Sequence, residues 1–183
     1  MDRTDLLSGW LRRLRGGART GRLEAILLAD AAGTPMRAVE VATACAGRGL
    51  DGDRYAAGTG WWRTTDGCQV TMIHAEHLAR AARRSGVAVT DGRHRRNLVI
   101  SGLAGAQLRE RQVRIGEALF SWHRVRPPCG YLDQVAGRGT AKALGRHAGL
   151  CLKVVEGGVI RVGDEVKLVP SQRLRDSARR IRL

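Results

Sequence analysis

The segment Arg126-Pro-Pro-Cys129-Gly130 concentrates the means for covalent chemistry. Pro127 and Pro128 each fix their own φ and stiffen the approach to the thiol, and Gly130 leaves the backbone beside it uncrowded. His123, Arg124 and Arg126 lie just upstream, and positive charge near a thiol lowers its pKa and raises its thiolate fraction. A thiolate can attack sulfur or carbonyl centres, or bind a soft metal. The same residues read equally well as a turn followed by a small core cysteine. Cys45, Cys68 and Cys151 sit in apolar, strand-like stretches, where packing is the better reading. The four cysteines form no CxxC pair, which argues against a zinc ribbon or thioredoxin-type site.

Three further groupings bear on binding. Arg93-His-Arg-Arg-Asn97 places arginine forks and an amide ahead of an apolar run. Such a set can hold a phosphate or the edge of a heterocycle; it is also what a solvated charged loop looks like. In Gly49-Leu-Asp-Gly-Asp53 the glycines permit close backbone approach and the carboxylates can hold an arginine, water or a cation. It lacks the length and final Glu of a calcium-binding EF-hand loop. His74-x-x-His77 is one helical pair without an obvious third ligand, so helix-surface histidines are the better reading.

Short strands must position these groups. Leu23–Ala29 and Met36–Thr43 are apolar or alternating around a Gly33-Thr-Pro35 turn, and Cys68–Ile73, Leu98–Ser101, Gln112–Ile115, Ala118–Val125, Leu150–Val155 and Val159–Leu168 read as further strands. Helices are predicted over His74–Arg84 and Ala141–His147. Trp61 and Trp62 fall in a loop-like region. Many short strands with glycine turns and few helices predict a mainly β domain, a closed barrel or a sandwich.

At 183 residues the chain predicts one domain with its own core over residues 22–170. Residues 1–21 form a basic N-terminal arm and 171–183 a basic tail. In the arm Leu7, Trp10, Leu11 and Leu14 share one helical side, which suits either a helix packed on the domain or a basic amphipathic helix touching a membrane or partner. The net charge of +15, mostly arginine, points to an anionic ligand or surface, or to an arginine-rich genome. Nucleic acid, an acidic membrane and a phosphorylated cofactor all satisfy it, although the scarcity of aromatics leaves few stacking platforms for single strands. No export signal or transmembrane run stands out, so a cytoplasmic protein with reduced thiols is expected.

Gly49-Leu-Asp-Gly-Asp-Arg-Tyr55, Val70-Thr-Met-Ile-His-Ala-Glu-His-Leu78, Arg95-Arg-Asn-Leu-Val-Ile-Ser-Gly102, Ile115-Gly-Glu-Ala118, Pro128-Cys129 and Gly163-Asp164 occur in an order and spacing that resemble the MOSC family, the C-terminal domain of molybdenum cofactor sulfurases. The resemblance covers about residues 22–170. It implies a small closed β-barrel of the pyruvate-kinase barrel-like type with a few peripheral helices. It implies the molybdenum cofactor (Mo-molybdopterin) as ligand, with sulfur transfer or molybdenum-dependent reduction as the chemistry. By motif, Cys129 becomes the catalytic sulfur and metal ligand. Arg93, Arg95, Arg96, Asn97 and Arg126 face the anionic pterin phosphate, and Asp53 organises the pocket by pairing with an arginine. A sulfur-donor protein such as a cysteine desulfurase is the implied partner. At 183 residues neither a pyridoxal-phosphate desulfurase domain nor the extra N-terminal β domain of amidoxime-reducing members is expected. The alternative outside this family reading is a non-catalytic nucleic-acid or acidic-surface binder using its basic arms.

Overall fold

The computed structural model describes residues 20–61, 67–89 and 91–169; most of the expected N-terminal arm and all of the tail lie outside the described residues. The strands are β1 (Thr20–Leu28), β2 (Arg37–Val39), β3 (Val41–Cys45), β4 (Gly49–Leu50), β5 (Val70–His74), β6 (Leu98–Ser101), β7 (Gln112–Ile115), β8 (Ala118–Val125), β9 (Leu150–Glu156), β10 (Gly158–Arg161) and β11 (Glu165–Val169). Among the described residues four short helices accompany them: α1 (Ala75–Ser85), α2 (Gly105–Leu108), α3 (Gly130–Ala136) and α4 (Thr140–Leu144). Because β1 begins at Thr20, the last two residues of the expected arm belong to the barrel.

Among the described residues the strands run β11-β7-β8-β9-β5-β6-β1, and β11 pairs back with β1 to close the barrel, with β2 attached outside β1. Closure removes free sheet edges that would otherwise template association. The pairings are antiparallel except β5–β6, which is parallel. A parallel pair cannot be joined by a hairpin, and α1 lies in the crossover between them. Strands β10, β3 and β4 form a second, smaller sheet.

Alternation divides the apolar side chains between two cores. Val70 and Met72 of β5, Leu98 and Ile100 of β6, and Phe120 of β8 point into the barrel. The intervening Ile73 and Val99 point outward against Leu78 and Ala81 of α1, Leu132 and Ala136 of α3, and Leu144 of α4. On β1, Leu23 and Ile26 both enter the barrel core although they are an odd number of residues apart. A register shift between Leu23 and Ala25, opposite β6, makes this possible; a bulge adds one residue and restores the facing.

Helix α1 follows from its pattern. Leu78 and Ala81 make the buried side, Glu76 sits in the first turn and Arg83 and Arg84 in the last, and Gly86 closes it in the left-handed region with its N–H on Ala82 O at 3.0 Å. The single run expected over Val159–Leu168 is two strands, β10 in the small sheet and β11 in the barrel. The turn at Gly163 (φ 94°) divides it, and Asp164 Oδ2 accepts from Arg161 N at 2.7 Å across that turn.

Candidate functional site

Three loops and α3 converge on one side of the barrel wall. The first follows β4 and carries Asp53, Arg54 and Tyr55. Asp53 is fully buried. Its Oδ2 accepts from Ala29 N at 3.2 Å, Arg54 Nη1 at 2.9 Å and Asn97 Nδ2 at 2.8 Å, and its Oδ1 accepts from Tyr55 N at 3.0 Å. The carboxylate thereby fixes the loop to β1 and to the segment before β6. Asn97, also fully buried, completes the brace: its Oδ1 accepts from Thr71 Oγ1 at 2.7 Å and Thr71 N at 3.1 Å, and its Nδ2 also donates to Leu27 O at 3.1 Å.

The second loop delivers Arg95 and Arg96. Arg95 adopts φ 61°, a left-handed conformation that non-glycine residues rarely take. Arg54 Nη2 donates to its carbonyl at 3.2 Å, and Arg95 Nη1 donates to Thr34 O. This held, unfavourable backbone turns consecutive arginines into one cleft. Arg96 Nε donates to Ala148 O at 2.6 Å. Gly149 lets the arginine pass close to the chain, since a Cβ there would lie 3.1 Å from Arg96 Nε and 2.5 Å from Met72 O.

The third loop ends β8. Arg126 N still donates to Gly149 O at 2.8 Å, extending the β8–β9 ladder by one bond. Pro127 and Pro128 carry no N–H, so the ladder stops there. The chain turns at Cys129, whose extended backbone precedes α3 and whose carbonyl accepts from Leu132 N at 2.9 Å. Arg126 is buried, and its Nη2 reaches Tyr55 Oη at 3.2 Å.

These residues line a cleft with walls from Arg54, Arg95, Arg96, Arg126, Cys129 and Tyr131, among others, and among the described residues no carboxylate lines it. Trp61 lines it too and stacks on Tyr131, ring centroids 4.1 Å apart. Arg54 lies over the Tyr55 ring at 4.7 Å. Burial, with Arg126 as a second cause, lowers the Arg96 guanidinium to about 10. Burial and then Arg54 push Arg95 down as well. Among the described residues neither Arg95 nor Arg96 forms an ion pair, whereas Arg54 pairs with Asp53. Buried cations without counter-charge are costly, and an anion seated among them relieves that cost.

Of the residues singled out from sequence, Arg95, Arg96, Arg126 and Cys129 share this cleft. Asp53 and Asn97 lie beneath it as the hydrogen-bonded brace and do not line it. Arg93 turns away; it pairs with Asp91 at 3.1 Å on the surface, with its side chain about half exposed. Sequence reasoning passed over Arg54, Trp61 and Tyr131. Arg54 stands inside the glycine motif, and its adjacency to Asp53 was the available signal; Tyr131 lies two residues past the cysteine. The structure also adds a third imidazole to the histidine pair, because His147 lies 4.4 Å from His77, ring to ring, and His77 lies 4.8 Å from His74. Even so, no group of three potential ligands among the described residues is arranged to hold a metal.

These observations describe a small closed mixed β-barrel with an arginine-lined cleft and a cysteine at the turn into a helix. Residues 59–167 match the model of the MOSC domain, and the chain belongs to the MOSC domain family, which is associated with molybdenum-cofactor binding or sulfur-related function. Its fold is similar to that of the YuaD protein of Bacillus subtilis (TM-score 0.70, 17% identity, covering 84% of this chain and 97% of that one). YiiM of Geobacillus stearothermophilus is also similar (0.61, 18% identity, 82% and 75%), as is YiiM of Escherichia coli (0.55, 21% identity, 82% and 70%). At these identities the likeness concerns the fold alone. No curated protein matches the chain. Among the described residues no helix is long and apolar enough to cross a membrane.

Proposed function

We propose that the cleft binds a molybdopterin-type cofactor through its phosphate and that Cys129 is the sulfur that meets its cargo. The observation that carries this reading is the buried Arg95–Arg96 pair, which, among the described residues, faces a cleft lined by no carboxylate and forms no ion pair. Arginine forks match the oxygens of a phosphate in a way that a single ammonium does not.

The residues present fit the group. Arg95, Arg96 and Arg126 would take the phosphate, while Arg54 is held back by Asp53. The stacked Trp61–Tyr131 pair offers a flat apolar surface to a heterocycle. Without a three-ligand protein cage among the described residues, Cys129 would serve as a single soft ligand to a metal whose other ligands arrive with the cofactor. When bound, the cofactor supplies redox-active molybdenum. The chain contributes the phosphate cradle, the aromatic wall, and a thiol whose position is set by the proline-terminated strand and the start of α3. Cys129 as a persulfide carrier uses the same cleft with a different cargo, and a cysteine desulfurase is then the natural donor.

The test is metal and pterin analysis of protein purified from a cofactor-producing host. Wild type should retain molybdenum or pterin. Arg96→Ala should weaken binding by about 1.5–3 kcal/mol, the worth of one charge-assisted hydrogen bond. Cys129→Ser should lose molybdenum or sulfur loading while remaining folded. Retention of both by the Ser variant would reduce Cys129 to a packing residue.

A second reading rests on a groove between α1 and α4, lined by Arg80, Arg84, Lys142 and Arg146. It would suit an acidic surface or nucleic acid. Binding that falls steeply with salt, in protein that carries no pterin, would favour it.

A further inference from the structure

Three imidazoles that the Cys129 cleft does not use meet elsewhere. His74 ends β5, His77 lies in the first turn of α1, and His147 closes the 3-10 turn Gly145–His147 that follows α4. His77 is the middle ring, 4.8 Å from His74 and 4.4 Å from His147 between centroids. With Gly105, Arg109 and Arg146 they line a cavity that, among the described residues, shares no lining residue with the Cys129 cleft. The lining is graded in depth. His74 is 3% exposed, His77 and His147 are half-buried, and Arg109 and Arg146 are exposed. His74 stands at the N-cap of α1 but makes no side-chain cap bond. Its buried Nε2 has no hydrogen-bond partner among the described residues, which is costly unless a ligand supplies one. Gly105 keeps that ring edge clear of a side chain, since a Cβ there would sit 3.4 Å from His74 Cε1. Arg146 Nε donates to His147 Nε2 at 3.2 Å, which holds the guanidinium beside the rings. Among the described residues no carboxylate lines the cavity. Glu76 acts on His74 and His77 from the first turn of α1, but its Oε1 accepts from Gly102 N at 2.9 Å. Arg80 adds positive charge beside His77 and His147. A field of that sign repels a metal cation and attracts an anion.

We propose that this cavity binds a small tetrahedral oxyanion of the phosphate class, with His74 Nε2–H as its buried donor and with proton uptake by the imidazoles on binding. The proposal rests on neither the cofactor reading nor the groove reading, although His77, Arg146 and His147 also border the groove between α1 and α4. Donors come from β5 and α1, from the segment after α2 and from the turn after α4. Four oxygens in a tetrahedron meet that spread, whereas the two oxygens of a carboxylate lie in one plane. Each imidazole gains a second N–H on protonation. In the empty cavity protonation is opposed: burial lowers His74, and burial, then the neighbouring rings and Arg80, lower His77 to about 4. A dianion seated beside the rings favours their charged forms. The bound state therefore holds protons that the empty state releases, and binding strengthens as pH falls.

The experiment uses the full chain carrying 13C-labelled histidine, titrated with sulfate at constant ionic strength. Ring signals are followed by NMR and assigned with single His→Gln variants. Sulfate keeps its charge across the pH range used, so any pH dependence belongs to the protein. His74, His77 and His147 should shift along one saturable curve, while His123, which lines neither cavity, stays in place. The curve should persist in Arg96→Ala, which impairs the Cys129 cleft, so that failure of one reading leaves the other standing. Arg109→Gln, at an exposed position, should weaken binding several-fold. Lowering the pH from 7.5 to 5.5 should tighten binding by about threefold or more. No saturable shift at the three rings, an equal shift at every histidine, loss of the curve in Arg96→Ala, an unchanged curve in Arg109→Gln, or an affinity that does not rise as pH falls each overturns the proposal. Displacement of sulfate from these rings by a short DNA duplex also overturns it, because the cavity would then belong to the groove.

Discussion

Asp53→Asn changes no volume and tests whether the brace under the cleft depends on charge. In the wild type Oδ2 accepts three hydrogen bonds, from Ala29 N, Arg54 Nη1 and Asn97 Nδ2, and Oδ1 accepts one from Tyr55 N. An asparagine has one acceptor oxygen and one amide donor. Placing its oxygen on the three-donor side turns the amide against Tyr55 N–H, donor to donor; the other rotamer opposes three donors at once. The better arrangement still loses a charge-assisted hydrogen bond, worth about 1.5–3 kcal/mol. It also leaves the buried Arg54 without its counter-charge, and removing one partner of a buried pair costs about 3–5 kcal/mol. These figures describe one interaction from two sides, so the expected loss is about 3–5 kcal/mol and not their sum. With a urea slope of about 1–3 kcal/mol per molar, the unfolding midpoint should fall by roughly 2 M. Tryptophan fluorescence against urea measures it. A loss below about 1 kcal/mol would show that the carboxylate is not the counter-charge holding Arg54 and the loop.

Two glycines beside the site should behave oppositely. Gly149→Ala, at φ 126° with its Cβ 2.5 Å from Met72 O, should cost more than about 2 kcal/mol and weaken anion binding through Arg96; a urea midpoint near wild type would refute this. Gly130→Ala meets nothing within 4 Å and should leave stability within about 1 kcal/mol of wild type. Acid stability should report the buried histidines. His94 is fully buried, and burial and then Arg96 lower it to about 3, below its unfolded value of about 6.5. The unfolded chain therefore binds the proton first, so this contribution is intact above about pH 6.5 and is lost as pH falls toward 3, at up to about 1.4 kcal/mol per unit. Burial lowers His74 and, to about 4, His77, and both act in the same direction. His94→Gln should flatten the fall in urea midpoint between pH 7 and 5; an unchanged slope would remove His94 from the account.

Where alternation and turn residues agreed, the sequence reading reached element boundaries. The segments read as strands at Leu98–Ser101, Gln112–Ile115 and Ala118–Val125 are β6, β7 and β8. Helix α3 was missed because it is short and follows two prolines that mask its apolar spacing of Leu132 and Ala136. Of the cleft, Arg126 was legible as a cation beside the proline-flanked Cys129 and Arg95 and Arg96 as a separate basic cluster, and only the family resemblance brought the two together. That Arg93 faces away while Arg95 faces in was not legible, because the difference comes from a left-handed backbone at Arg95 which residue type does not announce.

The pairing that closes the barrel also governs where its ends lie. Thr20, at the start of β1, stands opposite Lys167 near the end of β11. The chain therefore enters and leaves the barrel about one strand spacing apart, roughly 5 Å. A short linker joining Val169 to Thr20, with a new opening at the exposed turn Glu110–Arg111, would keep every strand pairing while reordering the sequence. Circular permutation is thus open to this barrel. Any two groups fused at residues 20 and 169 would be held at millimolar-order effective concentration toward each other, as short tethers impose.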